Sequence, residues 1–143
     1  MCSVMELSKY IVTKCIDDGI PINNVQLQKI LYEIQKDYIK NNSIAFEEPL
    51  ETWGFGFAVR DSYYYFSGYG AMEIRSRYDA KIEQSDREIC DPIIESIRNN
   101  TGAEIIWETH QKDDLYKKFY ANGAGNRKPV SIGYMRLYIL LHQ

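Results

Sequence analysis

The residue best suited to acid–base chemistry in this sequence is His110, because an imidazole changes its charge near neutral pH. It follows an apolar stretch, residues 105–107, near the end of a predicted helix. With a nearby carboxylate it could serve a small enzyme as acid or base, or it could act as a ligand. The alternative is a structural histidine at a helix end that bonds a backbone carbonyl. The sequence favours this alternative, because no cluster of Cys, Asp or Glu surrounds His110.

The three cysteines give no sign of a metal centre or a disulfide framework. Cys2, Cys15 and Cys90 are odd in number and far apart, and no C-x-x-C pair is present. We expect three reduced thiols, which indicates a cytoplasmic protein. No G-x-S-x-G nucleophile motif occurs either. The sequence therefore predicts no bound metal and no cofactor.

Two glycine-containing segments could in principle hold an anion. The segment 54–56, Gly-Phe-Gly, lacks the G-x-x-x-x-G-K-[ST] frame of a phosphate-binding loop. Its glycines are expected to permit a tight turn between bulky aromatic residues. The segment 123–126, Gly-Ala-Gly-Asn, precedes Arg127 and Lys128 and is predicted to be a flexible, exposed basic loop rather than an anion site.

Tyrosine is the unusual residue in this chain, with twelve copies, three of them consecutive at positions 63–65. Its ring is apolar and its tip polar, which suits half-buried core edges and protein interfaces. Three adjacent tyrosines cannot all point inward from one helix, so Tyr64 and Tyr65 are the predicted partner-binding residues. An equally weighted alternative is that the abundance of Ile, Asn, Lys and Tyr reflects an AT-rich genome.

Length and composition indicate one globular domain. The chain has 143 residues, of which 45% are hydrophobic and 26% charged, and it is long enough to bury a core. Its net charge of −3 gives no electrostatic footprint for nucleic acid. No apolar run approaches the ~18 residues of a membrane span, and the N-terminus lacks the apolar region of a signal peptide. We expect neither nucleic-acid binding nor membrane insertion.

Capping residues and apolar periodicity predict a mainly α fold, a single compact domain of six or seven helices. The clearest helix spans residues 24–40, where Leu27, Ile30, Leu31, Ile34 and Tyr38 repeat at helical spacing. Further helices are predicted at 4–18, from about 91 with Pro92 in the first position, at 102–110, from 113 or 114, and at 131–140. The pattern also allows a small β element around residues 50–57 and 71–75. Residues 58–68 fit either a helix or a strand, because tyrosine has a high β propensity.

The helix at 24–40 carries two groups of polar residues besides its apolar stripe. The opposite face carries Lys29, Glu33, Lys36 and Lys40. The shoulder of the stripe carries Gln28, Tyr32 and Gln35. The shoulder could bond within the core or face a partner, and the structural role is favoured. The charged face is expected to be solvated, with Lys29 and Glu33 as the next candidates for partner binding after the tyrosines.

The order of several motifs resembles that of the Panacea domain, a GepA/SocA-like phage-associated family. Residues 25–32, Val-Gln-Leu-Gln-Lys-Ile-Leu-Tyr, are similar to the family block Leu-x-Leu-Gln-Lys-Leu-Leu-Tyr. Matches to the later blocks are Trp53, Phe55, Gly56, Val59, Tyr63, Gly70, Ile74, Thr109, His110, Val130 and Ser131. The departures are Phe57, where the family usually has proline, and Tyr116, where tryptophan is common. The resemblance extends over residues 1–143 as a single domain.

The resemblance implies a mainly helical antitoxin rather than an enzyme, and it favours a helix at residues 58–68. Such a module would bind a toxin protein encoded nearby, either blocking it sterically or handing it to a ClpXP-type protease as a proteolytic adaptor. The family pattern supplies no catalytic group. The alternatives are a small enzyme that uses His110 and a phage factor that binds another host protein.

Overall fold

Residues 2–142, which the computed structural model describes, form seven α-helices and one three-stranded sheet. The helices are α1 (Val4–Asp17), α2 (Asn24–Lys40), α3 (Arg60–Tyr65), α4 (Gln84–Ile97), α5 (Gly102–Lys112), α6 (Asp114–Tyr120) and α7 (Ile132–Leu141). The strands are β1 (Leu50–Trp53), β2 (Gly56–Ala58) and β3 (Lys128–Val130), and short 3-10 helices occupy Ser67–Tyr69 and Ala121–Gly123. The mainly α prediction is confirmed, including the helix in the tyrosine-rich segment. None of the helices in residues 2–142 has the length and apolar character needed to cross a membrane.

Helix α2 lies at the centre of the domain. It begins with a capping box, in which the Asn23 side chain accepts from the Gln26 N–H and the Gln26 side chain accepts from the Asn23 N–H. Its apolar stripe is buried, and the helix packs against α1, α3, α4, α5, α7 and β2. The shoulder residues Gln28 and Gln35 are also buried. Their hydrogen bonds therefore have to be made within the core.

The predicted tight turn at residues 54–56 is confirmed as a two-residue hairpin between β1 and β2. Trp53 pairs with Gly56, so Gly54 and Phe55 form the loop. Gly56 has a φ of +143°, a conformation that side-chain-bearing residues rarely adopt. Phe57, which replaces the usual proline of the family block, lies on β2 and stacks on Tyr32 with 4.2 Å between ring centroids. The change thus places an aromatic ring in the core and leaves the turn intact.

Two predicted element positions are wrong. Residues 73–83 form neither helix nor strand, although Ile74 is buried and its N–H bonds the Ile22 carbonyl at 2.8 Å. The third strand of the sheet is β3, which pairs with β1. Helix α4 begins at Gln84 rather than near Asp91, so Pro92 lies inside it. Pro92 is exposed, and a proline there removes one helical hydrogen bond without burying an unpaired group.

The loop predicted to be flexible at residues 123–126 is instead fastened to β1. The Thr52 hydroxyl donates to the Gly125 carbonyl at 2.8 Å, and the Arg127 N–H donates to the Thr52 carbonyl at 2.7 Å. The Gly125 N–H bonds the Tyr120 carbonyl at 2.8 Å, and Gly125 is buried. These bonds place the chain after Gly125 directly beside the hairpin.

Candidate partner-binding surface

Side chains of α5 and α6 hydrogen-bond to the backbone of the β1–β2 hairpin. The Tyr116 hydroxyl, which is buried, donates to the Trp53 carbonyl at 2.5 Å, and Nε2 of His110 bonds the Gly54 carbonyl at 2.6 Å. Because a carbonyl only accepts, the imidazole carries its proton on Nε2 in this contact. Burial raises the pKa of Tyr116 above its ordinary value, which keeps the phenol a donor.

His110, which is exposed, lies in the last turn of α5 and makes the backbone carbonyl bond expected of a structural histidine at a helix end. Its other polar neighbour is the Tyr116 hydroxyl at 3.4 Å. Among residues 2–142, no carboxylate hydrogen-bonds to or forms an ion pair with this imidazole. In the same part of the chain, no three His, Cys, Asp or Glu side chains form a group that could hold a metal ion.

Side chains from the hairpin, from α3 and from the residue before β3 form what we call the aromatic patch: Trp53, Phe55, Tyr63, Tyr64 and Arg127. Trp53 is the buried centre, with 3% of its surface exposed. Its ring centroid lies 6.0 Å from that of Phe55, 4.9 Å from that of Tyr63 and 5.8 Å from that of Tyr64, in edge-on or tilted geometry. Tyr64 is 48% exposed. The aromatic patch therefore has Trp53 as a buried centre and Tyr64 at its accessible rim.

Arg127, which directly precedes β3, contacts both Trp53 and Tyr64 of the aromatic patch. Its guanidinium carbon lies 4.1 Å from the Trp53 ring centroid, and its Nη1 donates to the Tyr64 hydroxyl at 2.6 Å. The residue has a φ of +61°, an uncommon conformation for a side-chain-bearing residue. Its N–H bond to the Thr52 carbonyl holds it there. Local strain of this kind persists where the surrounding structure enforces it, and it is concentrated at functional sites.

Hydrogen bonds that involve Glu51 and Arg60 fix the orientation of the Trp53 indole. Its Nε1 donates to Oε1 of Glu51 at 2.8 Å, and Glu51 accepts two further bonds from the Arg60 guanidinium at 3.0 and 3.1 Å. Glu51 is buried, whereas Arg60 is exposed. Hydrogen bonding to Glu51 raises the pKa of Arg60, so the guanidinium stays charged. The indole is thus oriented as well as buried.

The two tyrosines predicted to bind a partner lie in separate clusters. Tyr65 is 52% exposed, but its ring packs edge-on against Phe66 at 4.9 Å and lies 6.2 Å from that of Tyr78. Lys9 sits 5.3 Å from the Tyr65 ring centroid. Tyr64 belongs to the aromatic patch because its ring lies 5.8 Å from that of Trp53, whereas the ring of Tyr65 packs against Phe66 and lies near Tyr78.

The other two predicted partner-binding residues, Lys29 and Glu33, form an ion pair at 3.0 Å on α2. Their side chains are only 23% and 25% exposed, so the solvated-face prediction is wrong for these two. Lys36 also pairs with Glu33, at 3.4 Å. Burial opposes ionisation of Glu33, but the two lysines outweigh it and hold the pKa of the carboxyl below its usual range.

The structural role favoured for the shoulder glutamines is confirmed. Gln28 accepts from the Val59 N–H and donates to Asn24 and Ser62, all within the core. Gln35 accepts from the Ala45 N–H at 2.7 Å and donates to the Phe46 carbonyl at 2.8 Å. Neither amide is available to a partner. Sequence reasoning missed Arg127, whose only signal was its place in a basic loop.

Comparison of the chain with protein-family models, with curated proteins and with solved structures finds no match in any of the three. The resemblance to the Panacea domain therefore stays a prediction from the sequence.

Proposed function

We propose that this protein is a cytoplasmic antitoxin, a non-enzymatic module that captures a toxin protein through the aromatic patch. The observation that carries the proposal is the joint exposure of Tyr64 and Arg127, which hydrogen-bond to each other and pack against the buried Trp53 ring. Tyrosine and arginine are among the residue types that most often dominate binding energy at protein interfaces. The order of sequence motifs that resembles the Panacea domain supports the same function.

The geometry favours binding because the patch is ordered before a partner arrives. The hairpin carbonyls are bonded by Tyr116 and His110, and Arg127 is held by its own backbone and by Tyr64. Side chains that are already fixed lose little entropy on association. Binding would thus block the toxin sterically, and a ClpXP-type protease could degrade the toxin from the complex in a later step.

Replacement of Tyr64 by alanine is the direct test. We expect the melting temperature to stay nearly unchanged, because the ring is about half exposed. Binding to the product of the neighbouring toxin-like gene should weaken by ~1–2 kcal/mol or more, as for an interface anchor. Isothermal titration calorimetry measures the affinity, and growth rescue on co-expression measures neutralisation.

Tyr65→Ala is the matched control on the same helix, because Tyr65 is equally exposed but belongs to another cluster. A loss of affinity confined to Tyr64→Ala locates the toxin on the aromatic patch. If both variants bind and neutralise normally, the patch is not the toxin-binding surface. Equal losses would extend the surface across α3. If neither variant folds, both rings belong to the core and the interface assignment is wrong.

A further inference from the structure

Helix α7 is apolar on nearly all sides yet lies at the surface. Four of its large apolar side chains are exposed: Tyr134 (61%), Leu137 (53%), Leu140 (59%) and Leu141 (70%). We call them the α7 face. A helix that is apolar all round is normally buried, and a contiguous exposed apolar patch usually marks an interaction site. No other helix in residues 2–142 exposes as many large apolar residues.

A groove of about 620 Å³ runs between α2 and α7, beside the α7 face. On the α7 side it is lined by Tyr138 and Ile139. The rest of the lining includes four lysines, Lys29, Lys36, Lys40 and Lys112, and three carboxyl groups, those of Glu33, Asp113 and Asp114. The groove therefore combines apolar side chains with charged ones.

The positive charge of the groove is only partly balanced. Lys29 and Lys36 share the single carboxylate of Glu33. Lys40 and Lys112 form no ion pair with any described residue of the chain. Asp113 and Asp114 also line the groove, where Asp113 accepts from the Tyr116 N–H and Asp114 lies 4.0 Å from Lys117. The lining thus has four lysines and three carboxyl groups, and Lys40 and Lys112 are the two lysines without an ion-pair partner among the described residues.

Tyr32 adds a second, independent observation. Its side chain is 1% exposed and lines the groove, and its hydroxyl lies near the Asp113 carboxylate but makes no hydrogen bond of good geometry within residues 2–142. Burial raises the pKa of Tyr32 well above the ordinary value, and the nearby Asp113 carboxylate adds to the effect. The phenol is therefore neutral and keeps its proton. Buried polar groups almost always have a partner, so a hydroxyl without one at a groove points to a missing ligand group.

We infer that the α2–α7 groove docks an acidic amphipathic segment of a partner protein. Its apolar side chains cover the α7 face, its carboxylates pair with Lys40 and Lys112, and one of its polar groups meets the Tyr32 hydroxyl. A second copy of this chain fits less well, because its α7 contains no carboxylate that could pair with Lys40 and Lys112. The inference does not depend on the proposed toxin contact, which uses a different surface.

The probe for this site is a fluorescein-labelled peptide with leucines at helical spacing and glutamates on both flanks. We expect saturable binding to the wild-type protein by fluorescence anisotropy. The same peptide with lysines in place of the glutamates, or serines in place of the leucines, should bind about tenfold more weakly or not at all. Absence of binding by the Leu/Glu peptide, or equal binding by the Leu/Lys peptide, would overturn the inference.

Three variants locate the peptide. Leu137→Glu and the double change Lys40→Glu/Lys112→Glu should each weaken binding about tenfold. The double change Lys81→Glu/Lys118→Glu alters net charge equally at exposed positions outside the groove and should leave the affinity within about twofold. Equal losses in the two double variants would show non-specific attraction and refute the site.

Tyr32→Phe separates a ligand contact from a structural one. Because the hydroxyl makes no hydrogen bond of good geometry in the free protein, we expect an unchanged or higher melting temperature together with about fivefold weaker peptide binding. A lower melting temperature would assign the hydroxyl to the fold and remove this argument for a ligand. If sedimentation equilibrium finds a dimer that Leu137→Glu dissociates, a second copy covers the α7 face and the proposed partner is wrong.

Discussion

Replacing Gly125 with alanine is expected to destabilise the protein by ~3 kcal/mol or more, the upper range for overpacking a rigid site. A Cβ atom at this position would lie 1.8 Å from the Phe119 carbonyl oxygen and 2.9 Å from its carbon. Both are backbone atoms, so no side-chain rotation relieves the contact. Urea denaturation followed by circular dichroism measures the loss.

The same change should also disturb the aromatic patch. Gly125 accepts from the Thr52 hydroxyl, and two residues later the Arg127 N–H bonds the Thr52 carbonyl. A shift of the backbone at Gly125 therefore moves Arg127 away from Trp53. If the protein still folds, we expect weaker binding of the proposed toxin partner along with the lower stability.

Gly133→Ala is the matched control for Gly125→Ala. It lies in the first turn of α7, and the nearest atom to its added Cβ is the Ser131 hydroxyl at 3.9 Å. Alanine favours helix over glycine by up to ~1 kcal/mol, so this variant should be as stable as the wild type or slightly more stable. Similar free energies of unfolding for the two variants would show that the chain around Gly125 yields easily and is not fastened as described.

The helices could be predicted because their signals are local. The spacing of apolar residues in α2, the Asn23 cap and the Thr101 and Ser131 caps are all read within a few positions of the sequence. Helix α4 is the exception, because Pro92 suggests a helix start while the structure tolerates it at an exposed interior position. The helix tolerates Pro92 because the residue is exposed, and the apolar periodicity of the sequence does not reveal that exposure.

The third strand could not be predicted, because its pairing is long-range. Strand β3 contains Pro129, which is unfavourable in a central strand but acceptable here, since β3 is at the edge of the sheet. Its partner residues begin at Leu50, far away in the sequence. The segment 71–75 has a more strand-like sequence but finds no neighbouring strand.

The proposed partner-binding residues could be predicted only in part from the sequence. Exposure of Tyr64 and Tyr65 followed from the geometry of consecutive helical residues. Their division into two clusters depends on Trp53 and Tyr78, which reach α3 from other parts of the chain. Arg127 hydrogen-bonds to Tyr64, 63 positions away, and no local sequence pattern predicts such a contact.

Trp53→Ala is expected to have the largest effect on stability, a loss of ~3–5 kcal/mol, as for removal of a buried tryptophan. The indole is 3% exposed, and its removal empties the centre of the aromatic patch. It also takes away the Nε1 donor to Glu51, a buried carboxylate that then keeps only its bonds to Arg60. Chemical denaturation compared at equal m-values measures the difference.

Trp53→Phe distinguishes the two contributions. Phenylalanine keeps an aromatic ring under Arg127 but lacks the indole N–H, so we expect a smaller loss than for alanine. A loss below ~1 kcal/mol for Trp53→Ala would contradict the buried position of the ring. If Trp53→Phe folds but binds the proposed toxin partner more weakly, the orientation imposed by Glu51 matters for recognition. Normal binding by this variant would instead assign recognition to the rim, where Tyr64 and Arg127 contact the partner directly.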